Sequence, residues 1–112
     1  MAKFLELEHF QVTTDIKVSE IVTSCANSAF QKDFLEFIEK FPNHLNRTCE
    51  KGHLTGSALV IREDDHRILL LFHTKLKRWL QPGGHADGDP DLARVALREA
   101  EEETGIEGLR IY

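Results

Sequence analysis

The apolar positions fall into three patterns along the chain. Val18, Ile21, Val22, Cys25, Ala26, Ala29 and Phe30 recur at helical spacing, and Phe34, Leu35, Phe37, Ile38 and Phe41 continue the stripe. Positions three and four apart share one face of an α-helix, so this stretch predicts an amphipathic helix, with a break near Asn27-Ser28. Asp15 or Ser19 suits its start as a cap. Pro42 ends it, because the residue before a proline avoids the helical region. Residues 4–12 alternate loosely and fit a short strand or an extended arm. Residues 57–61 read as a β-branched, largely apolar strand, 62–66 as a polar turn and 67–73 as another strand, which predicts a β-hairpin. Within it, the uninterrupted apolar run 68–72 reads as a strand covered on both faces. A third short strand is expected near residues 79–81, ahead of Pro82-Gly83-Gly84. Residues 83–89 then read as a glycine-rich, acidic loop. Pro90 suits the first turn of a following helix with Asp89 as its cap. That helix runs to about Thr104, Gly105 is its C-terminal stop, and residues 109–112 begin a further strand.

A length of 112 residues suits one compact domain, and 41% hydrophobic with 29% charged residues is ordinary for a globular protein. No apolar run approaches the ~20 residues that cross a bilayer. Glu6 and Glu8 interrupt any apolar signal-peptide core, and two cysteines, Cys25 and Cys49, are too few for a disulfide framework. A reduced, cytoplasmic protein is the expectation. The net charge of −5 is unevenly placed: residues 85–112 hold eight acidic and three basic side chains, and the rest of the chain is balanced. That distribution argues against binding to a nucleic-acid backbone, which needs a basic face. It permits a divalent-cation site, which needs clustered carboxylate oxygens.

The candidate chemistry lies on the last helix. Ala93, Ala96, Leu97, Ala100 and Thr104 form a small apolar stripe suited to close packing on a sheet. Glu99, Glu102 and Glu103 are spaced i, i+3, i+4, so their carboxylates share an adjacent face and repel one another. A divalent cation removes that repulsion and takes the same oxygens as ligands. Arg98 can orient one carboxylate by a bidentate contact. The plain alternative is a solvated acidic helix face. The six histidines and two cysteines lack the close paired spacing of a zinc site. His85 follows Gly84 at the mouth of the candidate site and is a candidate substrate contact. His66 reads as a turn residue, Trp79 as core, Lys75, Lys77 and Arg78 as a solvated loop, and Cys25 as a buried residue.

The wider spacing is more specific than the glutamates alone. Gly84, Arg98, Glu99, Glu102, Glu103, Gly105 and Ile106 stand in the register G-x5-E-x7-R-E-U-x-E-E-x-G-U, where U is a bulky aliphatic. The chain therefore resembles the Nudix (MutT-like) hydrolases. That resemblance implies an α/β fold, an α/β/α sandwich around a mixed sheet. It also implies cleavage of nucleoside diphosphates linked to another moiety, with Mg²⁺ or Mn²⁺ as cofactor. Position by position, Glu99, Glu102 and Glu103 match the family's metal-binding glutamates, and Gly83 matches the glycine whose carbonyl completes the metal shell. Arg98 matches the arginine that steadies a catalytic glutamate. Glu99, Glu102 and Arg98 are thus the expected catalytic residues, with Gly84 and His85 at the substrate.

The chain departs from the family pattern in three places. Pro90 stands where the motif has its first glutamate, with Asp89 next door as the candidate substitute, and Ala100 replaces a larger aliphatic. The third departure is length. The resemblance covers residues 51–112, about half a Nudix domain apparently truncated after the motif helix, behind an N-terminal helical segment at 1–50 expected to pack on it. A fragment of a longer protein, a chain completed by a second copy as a homodimer, and a poorly stable product are the three expectations, the first preferred. A non-catalytic binding or regulatory module on the same scaffold is the alternative function. A small-molecule nucleotide derivative is the expected partner; no membrane is.

Overall fold

The computed structural model describes residues 17–24 and 29–111. The expectations for residues 4–12, for Asp15, for Cys25 and for the break near Asn27-Ser28 lie outside the described residues.

Helix α1 spans Val18–Ser24 and α2 spans Gln31–Lys40. Ser19 lies inside the first turn of α1 and so does not cap it, a correction to one of the two expected caps. The Gln31 side chain joins the two helices: its Nε2 donates to the Val22 carbonyl at 2.9 Å and the Thr23 carbonyl at 3.1 Å, in the last turn of α1. Phe41 closes α2 in an extended conformation (φ −120°, ψ 96°), as the following proline requires. A run of tight turns follows, in which His44, Asn46, Cys49 and Gly52 each donate to a carbonyl three residues back. Cys49 is buried there, and Gly52 sits against the Phe37 ring.

Six short strands come next: β1 Thr55–Ser57, β2 Val60–Ile61, β3 Ile68–Leu69, β4 Leu71–His73, β5 Arg78–Leu80 and β6 Gly83–His85. They pair antiparallel as β1 with β6, β2 with β3 and β4 with β5. The expected hairpin is β2–β3, with Val60 opposite Leu69 and Ile61 opposite Ile68. His66 takes a left-handed φ of 57° in its turn, the place read for it from the sequence. The expected third strand is β5, which forms a second hairpin with β4. Among the described residues no helix is long and apolar enough to cross a membrane. Helices with small antiparallel sheets are compatible with an α/β fold.

Four expectations need correction. Gly83 and Gly84 are not loop residues: they form β6, opposite Ser57 and Gly56. Their lack of side chains is what permits the pairing, because a Cβ on Gly83 would lie 2.6 Å from Ser57 Oγ and 2.9 Å from the Gly56 carbonyl oxygen. The run 68–72 is not covered on both faces: Ile68, Leu70 and Phe72 are each about half exposed. The run breaks at Leu70 into two strands of different hairpins, while the last helix packs on β1 and β6 instead. Phe30 and Phe34 likewise stay exposed rather than covering a sheet. Trp79 is 65% exposed and meets Phe72 edge-on at 5.4 Å, so it is a surface aromatic and not core.

Helix α3, Leu92–Thr104, carries the motif. Its cap is Asp91, whose carboxylate accepts the Arg94 N–H at 3.2 Å, so Asp89 is not the cap and Pro90 lies ahead of the first turn. The C-terminal stop is Gly105 at φ 69°, donating to the Glu101 carbonyl. The centre of the packing is Val95, fully buried, which the sequence reading passed over. Ala96, Leu97 and Ala100 line a groove of about 800 Å³ with Val60, Leu109 and Ile111.

Candidate active site

Strand β6 and helix α3 build the site between them. Glu99 lies one turn beyond Val95 on the helix face that packs on the strands. Its carboxylate rests on Gly84, where a Cβ would collide with Cδ and Oε2 of Glu99. The Glu99 side chain is 19% exposed. Arg98 joins the two elements: its Nη2 donates to the His85 carbonyl at 3.3 Å and to Glu99 Oε1 at 3.4 Å. The same guanidinium lies 4.0 Å from Asp89 Oδ2. Arg98 therefore holds Glu99 to the end of β6 that carries Gly83, Gly84 and His85. Glu102 and Glu103 project into solvent on the next turn, and His85 is exposed at the strand end.

Asp89, the candidate replacement for the absent motif glutamate, is already occupied. Arg94 grips it with Nε–Oδ2 at 2.9 Å and Nη2–Oδ1 at 2.7 Å, both side chains being largely buried. Burial alone would raise the Asp89 carboxyl. The Arg94 guanidinium, the Asp91 N–H and the more distant Arg98 charge more than offset that, and the carboxyl lies below its ordinary value. The folded state then binds fewer protons than the unfolded chain at acid pH. The resulting stabilisation is complete above the unfolded carboxylate value near about 4 and is lost as pH falls through the depressed value. Asp89→Asn is expected to cost about 2 kcal/mol at neutral pH, as for a charge-assisted hydrogen bond lost in a buried place. The difference from the native protein should shrink below about pH 4. Urea unfolding at neutral and acid pH checks this; a difference that stays constant would contradict it.

Two further residues meet the site, and neither was singled out by sequence reasoning. The His53 ring lies 5.0 Å from the His85 ring, and its Nδ1 is buried with no hydrogen-bond partner among the described residues. Arg47 pairs with Asp87 just beyond His85, Nε–Oδ1 at 3.0 Å and Nη2–Oδ2 at 2.8 Å. That pairing holds the Asp87 carboxyl below the usual carboxylate range. Each is separated from its partner by more than thirty residues, so no local pattern marks it.

The residues expected from the sequence to hold a metal would offer hard oxygens: the carboxylates of Glu99, Glu102 and Glu103 and the Gly83 carbonyl. Such oxygens suit Mg²⁺ or Mn²⁺ better than a soft metal. Gly84 supplies the space that lets Glu99 lie flush with the strand. Among the described residues no three His, Cys, Asp or Glu side chains already converge on one point. Glu99 is seated against Gly84, whereas Glu102 and Glu103 are exposed.

Residues 52–112 match the NUDIX domain, more than half of the chain. The chain belongs to the Nudix family. It is similar to the CMP-5'-(N-acetyl-N-hydroxy-3-aminopropyl)phosphonate hydrolase of Streptomyces rubellomurinus (strain ATCC 31215). The two are 42% identical over 55 residues, 45% of this chain and 27% of that protein. The chain thus spans about a quarter of the length of that curated relative. No solved structure gives a significant match.

Proposed function

We propose that the chain is a metal-dependent Nudix hydrolase acting on a nucleoside diphosphate linked to another moiety, or on a similar organic pyrophosphate. The observation that carries this reading is Glu99 seated on Gly84 and tied by Arg98 to the His85 carbonyl. Similarity to a hydrolase whose name specifies a CMP-linked phosphonate supports a nucleotide-linked substrate. Glu99, Glu102, Glu103 and the Gly83 carbonyl would hold Mg²⁺ or Mn²⁺, which when bound neutralises phosphoryl charge and makes water a better nucleophile. Water then attacks phosphorus and the anhydride P–O bond breaks. Glu102, exposed at the mouth, takes the proton of the attacking water. Arg98 keeps Glu99 oriented, and Gly84 and His85 face the substrate. In this reading residues 1–50 pack on the 51–112 unit within a cytoplasmic α/β/α sandwich with a mixed sheet. The partner is a small molecule, neither nucleic-acid backbone nor membrane is bound, and two copies can pair.

A second reading, a binding module without turnover, draws on one observation. The carboxylates do not already converge among the described residues. Titration with Mn²⁺ tests the site. Paramagnetic broadening is expected first at the amide signals of Gly83, Gly84 and residues 99–103, and Glu99→Gln should weaken it at least tenfold. Uniform broadening along the chain would contradict a site at the motif.

A further inference from the structure

Arg47 lies outside residues 52–112, the part of the chain that matches the family domain, yet it reaches the site. The turn that follows β6 has an unusual backbone. Asp87 has φ 48° and Gly88 φ 88°, two consecutive residues in the left-handed region. Glycine adopts that region freely, and aspartate tolerates it at a modest cost, which contacts that hold it there offset. Here those contacts come from residues 44–47. The Gly88 N–H donates to the Leu45 carbonyl at 3.0 Å, and Arg47 takes both carboxylate oxygens of Asp87. His44 in turn accepts the Leu54 N–H at 2.7 Å, which joins this segment to the start of β1.

The turn matters because of what lies on either side of it. His85, two residues before Asp87, supplies the carbonyl that accepts Arg98. Asp89, two residues after it, supplies the carboxylate nearest the same guanidinium after Glu99. The carbonyl that accepts Arg98 and the carboxylate that faces it at 4.0 Å are therefore carried by the two arms of one turn. An exposed ion pair with no further role contributes little to stability and would not affect them. This pair is bidentate, and it fastens the one residue with a Cβ that takes a left-handed φ in the turn.

We propose that Arg47 is a positioning residue for the site: through Asp87 it holds the turn in the shape that keeps Arg98, and hence Glu99, against β6. The proposal rests on the hydrolase reading for its consequence in catalysis. It does not rest on that reading for the clamp itself.

The test compares the full chain with Arg47→Ala and with Arg47→Ala/Asp87→Gly, in which glycine accepts the left-handed conformation unaided. The probe is Mn²⁺ alone, followed by its electron paramagnetic resonance signal, together with amide exchange at Gly88 and Asp89. Arg47→Ala is expected to weaken Mn²⁺ binding about tenfold and to speed exchange at both amides at least tenfold. The double variant should recover most of the Mn²⁺ affinity, an outcome that loss of a merely structural ion pair would not give. On a hydrolysed substrate, kcat should fall about tenfold with KM changed less than twofold. Unchanged Mn²⁺ binding and exchange in Arg47→Ala would overturn the proposal. So would a rise in KM alone, which would make Arg47 a direct substrate contact. If the native chain bound no Mn²⁺, the hydrolase reading would fail separately, and the exchange rates would decide on the clamp.

Discussion

Glu102→Gln is expected to lower metal-dependent turnover about a thousandfold, the loss of roughly 4 kcal/mol of transition-state stabilisation. The substitution keeps the size of the side chain and removes its charge. The neutral amide can neither balance a dication nor take the proton of the attacking water. Glu102 is exposed on α3, so the fold has no reason to change. Unfolding temperature and far-UV circular dichroism should therefore match the native protein while kcat collapses. Single-turnover kinetics on any substrate the native chain cleaves gives the check. Retention of more than a tenth of the native kcat would remove Glu102 from the mechanism.

Gly56→Ala is expected to have the largest effect on stability. Strand β1 crosses α3 where neither element has room for a methyl group. A Cβ at position 56 would lie 2.8 Å from the Ala96 nitrogen, 2.8 Å from the Leu92 carbonyl oxygen and 2.8 Å from Val95 Cγ1. Two of those atoms are backbone and the third belongs to a fully buried side chain, so nothing yields cheaply. Overpacking of this kind costs about 3 kcal/mol. For a domain of this size that corresponds to a fall in Tm of at least roughly 10 °C. Calorimetry measures it directly. Because β1 also pairs with β6, the same substitution should loosen Glu99 and weaken Mn²⁺ binding. A variant as stable as the native protein would show that the strand and helix stand further apart than described.

The parts of this account that were legible in the sequence are those written in local spacing. Glu99, Glu102 and Glu103 share a face because i, i+3 and i+4 do so in any α-helix. Gly105 and Pro42 end helices for reasons internal to a few bonds. The β2–β3 hairpin follows from a polar turn between two apolar runs. What escaped the sequence depends on partners far along the chain. Gly83-Gly84 has the composition of a loop, and becomes a strand only because Gly56 and Ser57 offer it an edge. Asp89 looks like a cap and is diverted by Arg94, leaving the role to Asp91. Trp79 and the run 68–72 look buried by composition, whereas their exposure depends on which elements pack over them. Arg47 carries no sequence signal at all, since its role is set by a carboxylate forty positions away.

The central claim is that the residues around the motif helix direct water onto a phosphorus atom of a nucleotide-linked anhydride. Its most direct test is hydrolysis of a panel of nucleoside diphosphate derivatives in ¹⁸O-labelled water, with Mg²⁺, with Mn²⁺ and with chelator. The account predicts product only in the presence of metal, with one labelled oxygen on a phosphoryl group. Absence of any cleavage by a folded chain that binds Mn²⁺, or cleavage that persists in chelator, would contradict it.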